Sequence, residues 1–443
     1  MKIAFAAAAL TLALTPAARA ATWQQVTASG GASIDQVGHV RTADGVLHVV
    51  WHKDGDLQHT AILANGRVGA TTPVQTGWTG HEDAAIVTVP GGLRVFWGAI
   101  RSTDTNDPNQ DLNTAFSSDG GASWQLTPGS IIPRGAQAYG SDATATTLPN
   151  GTTLQAWAGT LGTWVHSGLD PAAPNVNYQE ALGSYGYYPG LASAANGQAM
   201  MAWFSSAEGH RGVLAQGVNA DGSPAGAVLT MPGSEVMVGG GTVTRTPIAA
   251  RAKNGGFYVG YGLGYPSSDQ ARVWRVGAAK TTLLDRTASS TQVTVAADPK
   301  GRIWAVWTDG TFGSPHVLAA RSNRDASVFG QPVDLGAVKD ANQTYSVDAN
   351  ATGTALDVLA LFGIGTTSGG STYVTRTLPG LTLKAARGTF TVTDAGEPVK
   401  GARVKIAGRS GKTDAKGRVK LGVRRGTATA SAPGYEHAKL KLK

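Results

Sequence analysis

The chain has 443 residues, of which 60 are glycine, 20 are proline and none is cysteine. The lack of cysteine excludes disulfides, a thiolate zinc site and a lipid-anchored N-terminal cysteine. Charged residues make up 15% of the chain and hydrophobic residues 42%, a composition typical of a turn-rich β protein and not of a disordered chain.

The N-terminus, residues 1–20, has the three parts of a secretory signal peptide. Lys2 precedes an apolar run at 3–14, and Ala18-Arg19-Ala20 places small residues where signal peptidase cleaves. We predict cleavage before Ala21 and a secreted, extracellular or cell-surface location. The alternative is a membrane anchor, for which the apolar run is short. No later segment approaches the roughly 18 apolar residues of a spanning helix, so no transmembrane segment is predicted in the mature chain.

One unit recurs along residues 21–385: a turn that ends in glycine, followed six residues later by an aromatic residue. The copies are Gly45–Trp51, Gly91–Trp97, Gly151–Trp157, Gly197–Trp203, Gly255–Tyr261, Gly301–Trp307 and a degenerate Gly353–Leu359. Each copy has room for four short strands, which is the plan of a propeller blade. We therefore predict an all-β fold: a β-propeller of about seven four-stranded blades, with six as the alternative if the degenerate copy lies outside the ring. Residues 22–26 resemble an outer strand that closes the ring beside the last blade.

Polar residues collect about nine positions before each repeat glycine, where the innermost strand of a blade begins. In a propeller these positions face one mouth of the central channel, so we predict a site for a glycan or other polar ligand there. The predicted ligand-binding residues are His81, Asp83, Asp142, Tyr187, Tyr188, Arg245 and Tyr345, and the same positions also include Asp35, Gln36, Glu82, Ser141 and Gln292. The alternative is that loop ends are polar in any propeller.

An Asp- and Asn-rich loop lies in the second copy. Its candidate metal ligands are Asp104, Asn106, Asp107, Asn109 and Asp111. Clustered carboxylate and amide oxygens suit Ca²⁺, although no glutamate or glycine completes an EF-hand pattern and a solvated loop is the alternative. Ca²⁺ is the one cofactor predicted.

The segment Ser117–Trp124 (Ser-Ser-Asp-Gly-Gly-Ala-Ser-Trp) resembles the Asp-box, the Ser-x-Asp-x-Gly-x-x-Trp turn of sialidases and other BNR-repeat propellers. Residues 322–329 form a degenerate relative. Together with the repeats, this resemblance to sialidase-like propellers covers residues 21–385. In that family the turn is structural, so it implies a fold and not an activity.

Arg245-Thr246-Pro247-Ile248 resembles the Arg-Ile-Pro motif of sialidases, whose arginine clamps the sialate carboxylate with two others. The family's motif lies in the first blade, whereas this one lies in the fifth copy. Arg101 and Arg211 lie in loops near the same face but in no recognisable motif. The resemblance also implies a tyrosine nucleophile, a carboxylate that activates it and an acid/base aspartate. The candidates are Tyr345, then Glu82 or Glu235, then Asp83 or Asp142.

The basic charge of the chain is concentrated at its end. The net charge is +8, and residues 388–443 alone hold 13 Lys plus Arg against 4 Asp plus Glu. Residues 392–402, 413–418 and 432–435 resemble the carboxypeptidase regulatory-like, transthyretin-like β-sandwich. We expect 388–443 to fold separately from the propeller and to contact an anionic surface such as a cell-wall polymer or lipid head groups. Nucleic acid is not predicted as a partner.

These observations leave three functional hypotheses. The first is a secreted propeller that recognises a glycan or other polar extracellular ligand at the channel mouth. The alternatives are an exo-sialidase-type glycoside hydrolase and a non-catalytic protein-interaction scaffold. The sequence leaves the ligand and the oligomeric state open.

Overall fold

The computed structural model describes residues 22–27, 36–79, 81, 83–100, 111–131, 139–159, 162–183, 186–236, 245–252, 255–264, 268–287, 292–365 and 370–442. Within these ranges almost all regular structure is β-strand, apart from the short 3₁₀ turns Glu180–Leu182 and Ser234–Val236. None of the helical turns in the described part of the chain has the length or apolarity to span a membrane.

Seven four-stranded antiparallel sheets follow one another along the chain as the blades of a propeller, preceded by a two-residue strand, β1 (Gln24–Gln25). Blade 1 consists of β2 (Gly38–Arg41), β3 (Leu47–Lys53), β4 (Asp56–Ile62) and β5 (Val68–Gln75). Blade 2 consists of β6 (Ala85–Val89), β7 (Gly92–Ala99), β8 (Asp111–Ser117) and β9 (Gln125–Leu126). Blade 3 consists of β10 (Tyr139–Thr147), β11 (Thr153–Gly159), β12 (Gly162–Ser167) and β13 (Val176–Asn177). Blade 4 consists of β14 (Gly186–Ser193), β15 (Ala199–Ser205), β16 (Gly212–Val218) and β17 (Pro224–Thr230). Blade 5 consists of β18 (Ile248–Ala250), β19 (Phe257–Leu263), β20 (Gln270–Arg275) and β21 (Thr282–Arg286). Blade 6 consists of β22 (Val293–Ala297), β23 (Ile303–Thr311), β24 (Ser314–Arg321) and β25 (Val333–Gly336). Blade 7 consists of β26 (Ala341–Thr352), β27 (Ala355–Ile364), β28 (Gly370–Thr377) and the N-terminal β1.

The ring closes between its first and last strands, as predicted. Gln24 pairs with Val374, so β1 supplies the outer strand of blade 7 and the degenerate seventh copy belongs to the ring. The buried carboxylate of Asp357 in blade 7 accepts hydrogen bonds from Arg376, at 2.7 and 2.8 Å, and from Arg41 of blade 1. Closure removes the free sheet edges that an open array of blades would expose.

The Asx–Gly turns that mark the repeats explain why each inner hairpin forms locally. The side chains of Asp44, Asn150 and Asn196 each accept a hydrogen bond, at 3.0–3.2 Å, from the backbone N–H two residues further on. The intervening glycines have φ of 87–88°, a left-handed conformation that favours glycine. The turn chemistry therefore sets the register of the first two strands of each blade.

The repeat aromatic residues pack between neighbouring blades. Trp97 of blade 2 packs with Val50 and Leu57 of blade 1, and Trp203 of blade 4 packs with Leu154 of blade 3. All the repeat aromatics are buried. In blade 7 Leu359 instead packs toward blade 1, with Trp51, and Ala360 faces blade 6. The aromatic residues thus bury apolar surface between neighbouring blades, which stabilises the propeller.

The Ser117–Trp124 turn folds around the carboxylate of Asp119. That carboxylate accepts hydrogen bonds from the Ser117 hydroxyl at 2.8 Å and from the Ser123 N–H at 2.9 Å. The turn also presses against blade 1, because a Cβ on Gly121 would lie 2.2 Å from a His59 ring carbon, and Trp124 contacts the same ring edge-to-face. This turn therefore joins blades 1 and 2 at the periphery.

The C-terminal residues form a β-sandwich with its own core. One sheet contains β29 (Thr382–Ala386), β30 (Thr389–Asp394), β31 (Glu397–Pro398) and β34 (Arg418–Lys420). The other contains β33 (Arg409–Lys412), β32 (Arg403–Ile406), β35 (Gly426–Ser431) and β36 (Ala438–Leu442), in that order. Strand β29 lies before the predicted boundary at 388, yet it pairs with β30, so the sandwich starts earlier than the sequence motifs indicate.

Buried ion pairs hold the sandwich against blade 6. Asp394, at the end of β30, accepts a hydrogen bond from Arg321 Nη2 at 2.6 Å and lies 3.4 Å from Arg302 Nη1. Glu397 pairs with Arg302 and Arg324, and the Arg321 guanidinium lies over the Tyr435 ring. The two units have separate cores, and this charged contact joins them.

Candidate functional site

The residues predicted to line the channel mouth lie before or near the start of the inner strands of all seven blades. In the structure these residues form separate groups and do not converge on one point. Three groups have contacts that define them: one at Arg245, one at Tyr188 and one at His81.

Arg245 crosses from blade 5 to blades 1 and 2. Its guanidinium donates hydrogen bonds to the carbonyl oxygens of Val37, at 3.2 Å, and Ala84, at 2.6 Å, and lies 4.0 Å from a carboxylate oxygen of Asp83. Val37 and Ala84 stand directly before the inner strands of their blades, so the side chain ties three blades at one end of the channel. The arginine that resembles a sialate clamp is therefore engaged by groups of the protein itself.

Asp142 and Tyr188 occupy equivalent positions in blades 3 and 4. Both are left-handed, with φ of 63° and 56°, and both lie in a bulge where the pairing of the inner strand shifts register. A left-handed backbone at a residue other than glycine is strained by about 1–3 kcal/mol and often marks a functional position. The bulge in blade 4 packs closely on blade 5, since a Cβ on Gly190 would lie 1.9 Å from Thr246 O, so that position requires glycine.

The side chains around Tyr188 form an aromatic step next to a carboxylate. The rings of Tyr187 and Tyr188 lie 5.9 Å apart, and Tyr187 keeps 37% of its surface exposed while Tyr188 is half-buried. Burial raises the pKa of Tyr188, and the nearby carboxylate of Asp142 raises it further. The Tyr188 phenol is therefore protonated at neutral pH, and the two tyrosines offer ring faces together with hydroxyl groups.

Tyr261 lies beneath this group and was missed as a site residue. Burial raises its pKa, with a further contribution from Tyr188. It is the repeat aromatic of blade 5, where the other intact copies carry tryptophan. The replacement of tryptophan by tyrosine is the one sequence feature that sets this position apart. We call Asp142, Tyr187, Tyr188 and Tyr261 the tyrosine group.

His81 belongs to a third group, at the junction of blades 1 and 2. One of its ring nitrogens lies 2.7 Å from the side-chain oxygen of Gln75, and its ring stacks on His52 with centroids 5.8 Å apart. Burial, followed by repulsion from His52, lowers the pKa of His81 to about 4. At neutral pH the imidazole of His81 is therefore uncharged.

Two further candidates lie in blades 7 and 4. Tyr345 lies in a bulge of blade 7 with its ring against Gly363, and Glu235 is exposed in the 3₁₀ turn Ser234–Val236. Glu82 lies outside the described residues, as do 35 and 101.

The predicted Ca²⁺ loop is covered by the structure only at its end. Residues 104–110 lie outside the described ranges, and Asp111 is buried at the start of β8. Among the residues that the structure describes, no three His, Cys, Asp or Glu side chains gather as a metal site. The Ca²⁺ site stays a prediction.

Comparison with known proteins yields similar structures only. No family model matches the chain, and no curated protein matches it. A protein of unknown function from Dyadobacter fermentans is 13% identical, with a TM-score of 0.47 over 67% of this chain and 94% of that one. An ulvan lyase of polysaccharide lyase family 25 is 11% identical, with a TM-score of 0.49 over 81% of this chain and 96% of that one. PorZ, a surface component of the type-IX secretion system of Porphyromonas gingivalis, is 14% identical, with a TM-score of 0.46 over 95% of this chain and 60% of that one.

These likenesses are distant. The descriptions of the solved structures name polysaccharide lyases, an arabinanase and a lectin among them, and those activities belong to those proteins. At 11–14% identity they carry no residue roles over to this chain. The site must therefore be argued from its own geometry.

Proposed function

We propose that the protein binds a carbohydrate at the tyrosine group, on the face of blades 3 and 4. The observation that carries the proposal is the paired left-handed conformation of Asp142 and Tyr188, which sets a carboxylate and a tyrosine side by side on adjacent inner strands. Sugar rings stack on aromatic faces, and their hydroxyls need acceptors such as a carboxylate. Tyr187 supplies the exposed ring, and Tyr188 lies beside it next to the buried carboxylate of Asp142.

The proposal is for binding, without turnover. Arg245 donates to Val37 and Ala84, which argues against its use as the carboxylate clamp of a sialidase. The sialidase-like assignment of the propeller and the carboxypeptidase regulatory-like assignment of the sandwich stay predictions.

The test compares the parent protein with Tyr187→Ala and Tyr187→Phe on an array of neutral and acidic oligosaccharides. We expect the alanine variant to lose about tenfold in affinity, which is the typical value of one aromatic contact, and the phenylalanine variant to keep most of it. Phe312→Ala is the matched control, since Phe312 is 76% exposed in the β23–β24 hairpin of another blade. Parent-like binding by Tyr187→Ala would exclude the site. Release of a fluorogenic group from a sialoside would instead show that the protein is a sialidase-type hydrolase and not a binding protein alone.

We further propose that the protein is exported after cleavage before Ala21, on the strength of residues 1–20. The intact mass of the secreted protein tests this directly. A mass that includes residues 1–20 contradicts it.

A further inference from the structure

The second sheet of the sandwich has one face made only of cations and hydroxyls. The sheet has the order β33, β32, β35 and β36, and residues of β32, β35 and β36 alternate between the core and the outside. Ser410 and Lys412 of β33 pair with the outward residues Lys405 and Arg403. The outward positions are Ser410, Lys412, Arg403, Lys405, Thr427, Thr429, Ser431, Lys439 and Lys441. All five cations are exposed, and we call this surface the basic face.

The basic face places like charges next to one another. Arg403 lies directly opposite Lys412, and Lys405 and Lys439 lie in one row with Thr429 between them. Like charges opposite each other on a sheet destabilise it, and ordinary soluble surfaces intersperse both signs. Among the described residues, none of the five cations has a carboxylate within ion-pair distance.

Three of the four acids in residues 388–443 are engaged elsewhere. Asp394 and Glu397 pair with arginines of blade 6, and Asp414 accepts hydrogen bonds from backbone N–H groups within its own turn. Because Asp394 and Glu397 pair with arginines of blade 6, these two acids do not neutralise the cations of the basic face. The sheet that makes this contact is the other one, which leaves the basic face exposed.

We propose that the basic face binds a linear anionic polysaccharide, carboxylated or sulfated. Adjacent strands are about 4.8 Å apart, so Lys405 and Lys439 form a row about 10 Å long with a hydroxyl between the two cations. An extended chain with regularly spaced anionic groups can engage several such cations at once, while Thr429 and Ser431 hydrogen-bond its sugar hydroxyls. This site is separate from the tyrosine group and does not depend on it.

The composition of the face favours a polysaccharide over two other polyanions. Its outward positions include no aromatic residue on which nucleic-acid bases would stack. They also include no apolar side chain that would enter a bilayer, as interfacial binding surfaces require. Hydroxyls between the cations match a ligand that carries hydroxyls between its charges.

The experiment measures binding of the full exported chain to polygalacturonate and to heparin at increasing salt. The face variant is Lys405→Ser with Lys439→Ser, and its matched control, Lys384→Ser with Lys400→Ser, removes the same charge at exposed positions outside the face. We expect about tenfold weaker binding at low salt for the face variant and a shallower salt dependence, because fewer counterions are released. The control should change little, and Lys405→Arg with Lys439→Arg should bind as the parent does.

Three results would overturn the proposal. Equal losses in the face and control variants would show attraction by net charge alone, and unchanged binding in the face variant would exclude the face. Loss of binding to phosphatidylserine vesicles with polysaccharide binding intact would identify a membrane as the partner. The melting temperatures of all variants are compared first, and Tyr187→Ala should bind both polyanions normally, which separates this site from the tyrosine group.

Discussion

The carboxylate of Asp394 in the sandwich accepts a hydrogen bond from Arg321 Nη2 of blade 6 at 2.6 Å, with both side chains at most 5% exposed. Arg302 and the Tyr435 hydroxyl also approach that carboxylate, both at 3.4 Å. The sandwich, expected from its sequence to be an independent appendage, is thus attached through a buried charge.

Asp394→Ala should therefore destabilise the junction by about 3 kcal/mol, because it leaves the buried Arg321 guanidinium without its carboxylate, whereas Arg302 keeps Glu397. Differential scanning calorimetry should show a lower transition temperature and an earlier, separate transition for the sandwich. Asp414→Ala, in an exposed turn of the same domain, is the control and should stay close to the parent. A parent-like thermogram for Asp394→Ala would show that the two units are not energetically coupled.

Asp357→Ala tests the closure of the ring. Removing this buried carboxylate leaves Arg41 and Arg376 unpaired where blades 1 and 7 meet, so we expect the free energy of unfolding to fall by about 3–5 kcal/mol. Urea denaturation followed by tryptophan fluorescence measures it. Asp325→Ala, at an exposed position of blade 6, should leave the midpoint near that of the parent. Equal midpoints for the two variants would contradict the assigned role of Asp357.

Arg245→Ala should lower stability by about 3 kcal/mol, because the guanidinium joins three blades and faces Asp83. Chemical denaturation measures the change, and Arg211→Ala, at an exposed position, is the control. The folded fraction of Arg245→Ala should still bind the ligand of the tyrosine group. Full stability together with lost binding of acidic glycans would instead make Arg245 a ligand contact.

His59 should make the protein less stable in acid. One of its ring nitrogens lies 2.9 Å from His48, and burial together with the charge of His48 lowers the pKa of His59 from 6.5 to about 4. The unfolded chain therefore takes up a proton below pH 6.5 while the folded protein stays neutral down to about pH 4, so stability is full above pH 6.5 and falls as the pH drops through this window. Between pH 6.5 and 5 the loss is about 2 kcal/mol.

Melting temperatures at pH 7 and pH 5 measure this effect. His59→Gln should narrow the difference between the two pH values, whereas His210→Gln, at an exposed position, should keep it. An unchanged difference in His59→Gln would assign the acid sensitivity to other groups, among which His81 is the next candidate.

The sequence by itself determined the blades, because their signals are local. An Asx–Gly turn is completed by an N–H two residues further on, and the spacing from glycine to aromatic follows from one hairpin. Even the closing strand, Gln24–Gln25, was predictable from its resemblance to the outer strands. The strand alternation that forms the basic face was also legible in residues 402–406.

Only the tertiary structure decided how the polar residues group. Arg245 meets Val37 and Ala84 across 208 and 161 residues, and Arg321 meets Asp394 across 73, so no local pattern could report these contacts. The partners of the predicted mouth residues depend on how far each side chain reaches and on bulges such as those at Asp142 and Tyr188. Burial then assigns their roles, since a buried cation must pair with the nearest acceptor, whether that acceptor belongs to the protein or to a ligand.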